Sequence, residues 1–245
     1  MRIGVIGAGV MGSGIAQVLA QSGHVVHCTD VAEDALAKAH EGVTTGRYGF
    51  ERAVTRGRLD RAQADAALDR LTFSTDFESA VGEAELIVEC VPEKLDLKIK
   101  VFRELDRLAA ADTILASNSS GFPLASLAAS TDRPANVIIW HWASPPVVMK
   151  FAEIVVSDDT DPQVIERVRE IAAGCGKNPI VVKDHPMAWG YVANRVYAAM
   201  LAEAGRVVAE GVASHEEVNQ LMVDCFGWPV GPFAMVKGAT SGWKD

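Results

Sequence analysis

Six residues near the start, Gly7-Ala8-Gly9-Val10-Met11-Gly12, constrain the fold more than any other feature of the chain. They follow a short apolar segment, residues 2–6, and open a stretch in which Ile15, Val18 and Leu19 recur at helical spacing before Gly23. Strand, glycine-rich turn and helix in that order begin a dinucleotide-binding unit. The first glycine permits a tight turn, the second lets a pyrophosphate approach the backbone, and the third lets helix pack on strand. The helix N-terminus supplies N–H groups and a dipole that favour phosphate. Asp30 stands at the end of the next apolar segment, residues 25–28. A carboxylate there accepts the ribose hydroxyls and repels a 2′-phosphate, and no arginine follows directly. The expected cofactor is therefore NAD rather than NADP, held by Gly7, Gly9, Val10, Met11, Gly12 and Asp30. Glycines that merely turn a corner would not need that acid.

Strand and helix patterns alternate beyond this point. Two alanine-rich helical stretches cover residues 33–71, and an apolar strand covers 86–91. A helix over 97–108 and strands over 113–116, 136–140, 151–156 and 179–182 follow, with another helix after Asp161-Pro162. An aspartate followed by proline is a good helix start. The fold class is α/β, a Rossmann-type doubly wound sheet whose last strands can run antiparallel. After His185 strand signals stop. A long helix over 196–210 and a capping box, Ser214 to Glu217, leave a small all-helical domain. The expected division is 1–184 for the NAD-binding domain and 185–245 for the helical domain.

The 245 residues are 49% hydrophobic and carry a formal net charge of −9. The charge argues against a general nucleic-acid binder, while leaving room for a local basic patch that meets a phosphorylated ligand. No apolar run reaches the roughly 18 residues of a membrane span. The first residues lack a basic region and a cleavage site, so a cytoplasmic protein without membrane contact is expected. Cys28, Cys90, Cys175 and Cys225 are scattered and read as reduced thiols. His24, His27, His40, His185 and His215 lack metal-ligand spacing, and no metal is expected.

Further segments resemble the 3-hydroxyacyl-CoA dehydrogenase family. Residues 7–16 are similar to its NAD-binding start, Val88-Glu89-Cys90-Val91-Pro92-Glu93 to the segment after its fourth strand, and Ala116-Ser117-Asn118-Ser119-Ser120 to its A-S-N-T-S. His141, Ser144-Pro145, Val148-Met149-Lys150 and Glu153 resemble H-F-F-N-P-x-x-x-M-K-x-x-E, and Asn194-Arg195 and Gly231-Pro232-Phe233 resemble motifs of the helical domain. The resemblance implies that His141 is the catalytic base, Glu153 its carboxylate partner, Ser120 a bond to the reacting oxygen and Asn194 a residue at the active-site edge. It implies that Glu93, Lys98 and Asn118 lie along the cofactor, and that Ser120, Ser144 and Asn194 meet a small-molecule substrate. The implied reaction is oxidation of an L-3-hydroxyacyl-CoA to its 3-ketoacyl form with NAD, in fatty acid metabolism. An acyl-carrier-protein substrate, a free hydroxy acid such as L-gulonate or carnitine, and a non-catalytic crystallin-like NAD binder are the alternatives. Ser144 replaces the family's asparagine, the link from Asp184 to Gly190 is about three residues longer than the family's, and the helical domain is shorter.

Alcohol oxidation suits a histidine, because imidazole titrates near neutrality and a neighbouring carboxylate fixes its tautomer. The pattern puts His141 at the end of one strand and Glu153 at the start of the next, with Pro145-Pro146 between them. Flanked by two tryptophans, His141 otherwise reads as a core histidine. Ser119 and Ser120 can also cap a helix over 123–129. Glu93 and Lys98 are five apart, which is not the spacing of a helical ion pair. A homodimer is expected from the wide apolar stripe of the long helix, Val192, Val196, Ala199, Met200, Ala204, Val207 and Val208, although Glu203 falls inside it and needs a partner.

Overall fold

The structure, a computed structural model, describes residues 1–185 and 187–240. Pro186, in the link between the domains, and residues 241–245 lie outside the described residues. The chain divides into two compact units, the first ending at Trp189 and the second beginning at Gly190.

The first unit runs β1 (Arg2–Ile6), α1 (Val10–Gln21), β2 (Val25–Thr29), α2 (Glu33–Thr44), α3 (Phe50–Thr55), α4 (Arg61–Leu68), β3 (Leu71–Ser74), α5 (Phe77–Gly82) and β4 (Leu86–Glu89). It continues through α6 (Leu95–Leu108), β5 (Ile114–Ser117), α7 (Leu124–Ala128), a 3-10 turn (Pro134–Asn136), β6 (Val137–Trp142), β7 (Phe151–Val156), α8 (Pro162–Gly174) and β8 (Asn178–Lys183). The strands form one sheet in the order β3-β2-β1-β4-β5-β6-β7-β8. All neighbours are parallel except β6 and β7, which are antiparallel. The last two strands thus run against the other six. This is the doubly wound sheet expected from the alternation, and chain order reverses between β1 and β4, where such sheets open a crevice.

The apolar runs of β4, β5 and β6 are buried throughout, as strands covered on both faces must be. Trp140 and Trp142 join Ile15, Leu19, Ile154 and Val168 in one core cluster. Side chains alternate along a strand, so His141 faces away from both tryptophans. Asp161 starts α8 as read, its Oδ1 accepting the Gln163 N–H at 2.7 Å.

Three differences from the sequence reading have local causes. Residues 33–71 hold three helices rather than two, and Leu71 opens strand β3. Gly46, Gly49 and Gly57 interrupt the helical pattern, and the Asp60–Gln63 capping box that starts α4 was a readable signal. The strand β3 is four residues long and only partly buried at the sheet edge, too short for its alternation to register. The strand β6 continues to Trp142, two residues past the expected limit of 140, so His141 stands one residue before its end.

The second unit contains α9 (Ala193–Ala209), α10 (His215–Phe226) and α11 (Pro232–Thr240). The expected capping box forms: Ser214 Oγ accepts the Glu217 N–H, and Glu217 Oε2 accepts the Ser214 N–H. Glu203 pairs with Arg206, and both are exposed, so the acid lies at a polar edge of the stripe. Among the described residues no helix is long and apolar enough to cross a membrane.

The packing of α1 on β1 yields a stability test. A Cβ at Gly12 would lie 1.8 Å from the Gly7 carbonyl oxygen, whereas one at Gly9 meets nothing within 4 Å. In urea unfolding, Gly12→Ala is expected to lose about 1–3 kcal/mol or more by overpacking. Gly9→Ala should stay within about 0.5 kcal/mol. Equal midpoints for the two variants would contradict this packing.

Candidate active site

A cavity of about 730 Å³ opens at the sheet's crevice, lined by Gly7, Gly9, Val10, Met11, Asp30, Glu93, Lys98, Asn118 and Ser120 among others. Gly7 turns the chain at φ +104°, a conformation that favours glycine. Gly12 packs beneath this loop rather than lining the cavity. The space beside Gly9 is the cradle a pyrophosphate needs, and no side chain caps α1 or places a carboxylate in its first turn. Asp30 Oδ2 accepts the Ala8 N–H at 2.8 Å, and Oδ1 accepts the Ala32 N–H at 3.0 Å. The carboxylate is fixed by the glycine loop and retains lone pairs for ribose hydroxyls. These residues fit a dinucleotide.

The far end of the cavity rests on a buried ion network. Lys98 Nζ donates to both oxygens of Glu89, at 2.8 and 3.1 Å, and to the Val91 carbonyl at 3.2 Å. It also lies 3.2 Å from Glu93 Oε2. The expectation that Glu93 and Lys98 do not pair is therefore corrected: Glu93 precedes α6, so helical spacing does not govern the distance between them. Burial pushes the Glu89 carboxyl up, while the Lys98 charge, the Ser117 hydroxyl and the Val91 N–H pull it down, and burial wins. Neither Glu89 nor Ser117 was identified from the sequence. The available signal was a carboxylate inside an otherwise apolar strand.

Glu93 Oε1 in turn collects the Ser119 hydroxyl at 2.7 Å and the Ser120 N–H at 2.8 Å. Ser119 Oγ accepts the Phe122 N–H at 3.1 Å and so shapes the turn before α7, whose cap position is Pro123. The turn-forming role falls to Ser119, and Ser120 lines the cavity. Asn118 Oδ1 accepts the Trp142 N–H at 2.9 Å, which ties the cavity wall to β6 beside His141.

His141 and Glu153 are direct partners in the β6–β7 register. His141 Nδ1 lies 2.9 Å from Glu153 Oε2, and both residues are buried. A carboxylate only accepts hydrogen bonds, so Nδ1 carries the proton and Nε2 is the ring's basic nitrogen. Phe151 meets the imidazole edge-on, with centroids 5.2 Å apart. Ser144 is exposed on the β6–β7 loop and does not line the cavity. Asn194 lies in the first turn of α9, in the second unit.

A second, small pocket is lined by four arginines, Arg47, Arg52, Arg56 and Arg58, together with Gln17, Tyr48 and Val147. All four are exposed. This basic patch around α3 was not identified from the sequence, although four arginines within residues 47–58 are visible there. Val147 belongs to the β6–β7 loop, so the pocket adjoins the segment that leaves His141. Among the described residues no group of three or more His, Cys, Asp or Glu is placed to hold a metal.

Comparisons with known proteins agree with this geometry. Residues 2–185 match the family model described as the 3-hydroxyacyl-CoA dehydrogenase NAD-binding domain, and residues 190–243 match that of the 3-hydroxyacyl-CoA dehydrogenase C-terminal domain. The mitochondrial hydroxyacyl-coenzyme A dehydrogenase of Sus scrofa is 34% identical, over 96% of this chain and 74% of the relative. The crystal structure of (S)-3-hydroxybutyryl-CoA dehydrogenase from Ralstonia eutropha superposes with a TM-score of 0.89 at 32% identity, covering 96% of this chain and 80% of that one. A 5-formyl-3-hydroxy-2-methylpyridine 4-carboxylate 5-dehydrogenase of Mesorhizobium japonicum is also 34% identical, over 94% of this chain and 71% of the relative. NAD is the cofactor of the first unit.

Asp30 makes that choice measurable. NAD is expected to exceed NADP in kcat/KM by more than about tenfold, roughly 1.4 kcal/mol. Asp30→Ala should narrow the gap. Equal kcat/KM for the two cofactors in the unmutated protein would contradict the assignment.

Proposed function

The chain belongs to the 3-hydroxyacyl-CoA dehydrogenase family, and from that premise we propose that it oxidises an L-3-hydroxyacyl-CoA to the 3-ketoacyl thioester. The observation that carries this reading is the buried His141–Glu153 pair at 2.9 Å, joined to the cofactor cavity through Asn118 and Trp142. His141 Nε2 takes the hydroxyl proton. Glu153 holds Nδ1–H in place and stabilises the imidazolium that forms. Ser120, positioned by Glu93, donates to the reacting oxygen. NAD, when bound, supplies the hydride acceptor.

The arginine pocket favours a coenzyme A thioester over a free hydroxy acid. Guanidinium groups match phosphate oxygens in paired geometry, and L-gulonate and carnitine carry no phosphate. Relatives at equal identity include a pyridine-carboxylate dehydrogenase, so identity alone does not choose the substrate. NADH absorbance with 3-hydroxybutyryl-CoA, L-gulonate and carnitine decides. The thioester should give the highest kcat/KM, and a free hydroxy acid matching it would overturn the substrate class. On the thioester, His141→Gln should lower kcat by about 10²–10⁴ with NAD binding intact, and Glu153→Gln should cost less. Near-normal turnover by His141→Gln would overturn the base assignment.

We further assign residues 1–184 to NAD binding and residues 185–245 to assembly as a homodimer. The helix α9 leaves Val196 65% exposed and the adjoining Val192 52% exposed in a single chain, and such a stripe is stable when covered. An isologous contact would bury it on both copies. Light scattering at low micromolar concentration should give a dimer, whose interface exceeds roughly 2,000 Å² in total. A stable, active monomer would contradict the assignment.

A further inference from the structure

Lys177, between α8 and β8, is buried, with 7% of its surface exposed. A buried ammonium is costly unless its donors are met. Here they are met without a carboxylate among the described residues: Nζ donates to the Pro146 carbonyl at 2.5 Å and the Met149 carbonyl at 2.8 Å. It also sits 5.0 Å above the Trp142 ring, whose π face attracts a cation. The next residue continues the clamp, Asn178 N–H donating to the Lys150 carbonyl at 2.7 Å. From the other side Pro146 lies against α1, where a Cβ on Gly14 would approach it to 3.1 Å. The segment itself forms a single turn, with Val148 N–H and Met149 N–H both donating to the Pro145 carbonyl. The open carbonyl end of this turn faces the ammonium, the favourable sense for peptide dipoles.

The clamped segment is the β6–β7 loop, residues 143–150. It leaves β6 immediately after His141 and Trp142 and carries exposed Ser144. At Val147 it lines the arginine pocket. The pairing of His141 with Glu153 does not need the loop, because the β6–β7 ladder holds it. What the loop contributes is Val147, a wall of the arginine pocket carried on the segment that leaves His141.

We propose that Lys177 is a positioning residue for the acyl-CoA substrate: by gripping the Pro146 and Met149 carbonyls it fixes the β6–β7 loop so that the arginine pocket and His141 engage one substrate at once. This rests on the phosphate-anchoring reading of the arginines. Burial pushes the Lys177 ammonium below the usual lysine range, but two carbonyls and an indole face keep the cation in place. Among the described residues, Lys177 hydrogen-bonds to none that line the NAD cavity and meets that cavity's wall only at one remove, through Trp142 and Asn118, so NAD binding should change little without it.

The test compares 3-hydroxybutyryl-CoA with 3-hydroxybutyryl-N-acetylcysteamine, the same thioester without the nucleotide phosphates. In Lys177→Met, kcat/KM for the CoA substrate should fall about ten- to hundredfold, the scale of a misplaced reacting group. The short thioester and the NAD dissociation constant should change little. Lys177→Arg, which keeps the charge and the donors, should restore the preference for the CoA substrate. Lys177→Gln, a milder change should the methionine variant not fold, should show the same selective loss. An equal loss on both thioesters would mean a merely structural lysine and would overturn the proposal. Equal use of the two thioesters by the unmutated protein would instead overturn the phosphate reading beneath it.

Discussion

The antiparallel pairing of β6 with β7 makes His141 and Glu153 direct cross-strand neighbours, and the proposed chemistry of the first unit depends on that contact. Six strands of the sheet run one way and bring loops and helix N-termini to one edge. A base and its carboxylate on consecutive parallel strands would be separated by a crossover of a dozen or more residues. Reversing direction at β7 replaces the crossover by the loop at residues 143–150 and places the two side chains on one face. The other face of β6 is given to Trp140 and Trp142, which bury the strand against the core. The same six residues thus supply both packing and chemistry, divided by the alternation of the strand.

The cofactor cavity is joined to that pair by polar links that are short and largely buried. Glu89 holds Lys98, Lys98 steadies Glu93, and Glu93 gathers Ser119 and Ser120. Asn118, next in line, grips the Trp142 backbone. In a low-dielectric interior such bonds are strong, and an unmet member is costly, so the network holds one geometry. Asp30 does the same at the adenosine end by binding the glycine loop and the start of the next helix. Rigidity at both ends suits a site that must hold two reactants in register.

Legibility followed the range of the interactions. Gly7 to Gly12 and Asp30 were readable because turn, helix start and strand end are local, and the capping boxes before α4 and α10 are equally local. The partnership of His141 with Glu153 was legible only through the family resemblance, since no spacing rule gives register across a loop of this length; the β6–β7 ladder makes the two direct partners. The spacing argument for Glu93 and Lys98 failed because one of them precedes the helix. The arginine pocket was masked by a net charge of −9, an average that says nothing about four arginines on one surface. Lys177 left no trace in the pattern, since its partners are backbone carbonyls and the face of a ring. The strand β3 was lost to its shortness and partial burial.

The central claim is that His141 removes the hydroxyl proton in the step that transfers the hydride. Product release limits turnover in many enzymes, so the direct measurement is single-turnover NADH formation from 3-hydroxybutyryl-CoA. It is made once with deuterium at C3 and once in heavy water. The account predicts that each substitution slows the same NADH-forming phase. A full effect at C3 with none from the solvent would contradict it, because no protein base would then be taking the proton as the hydride leaves.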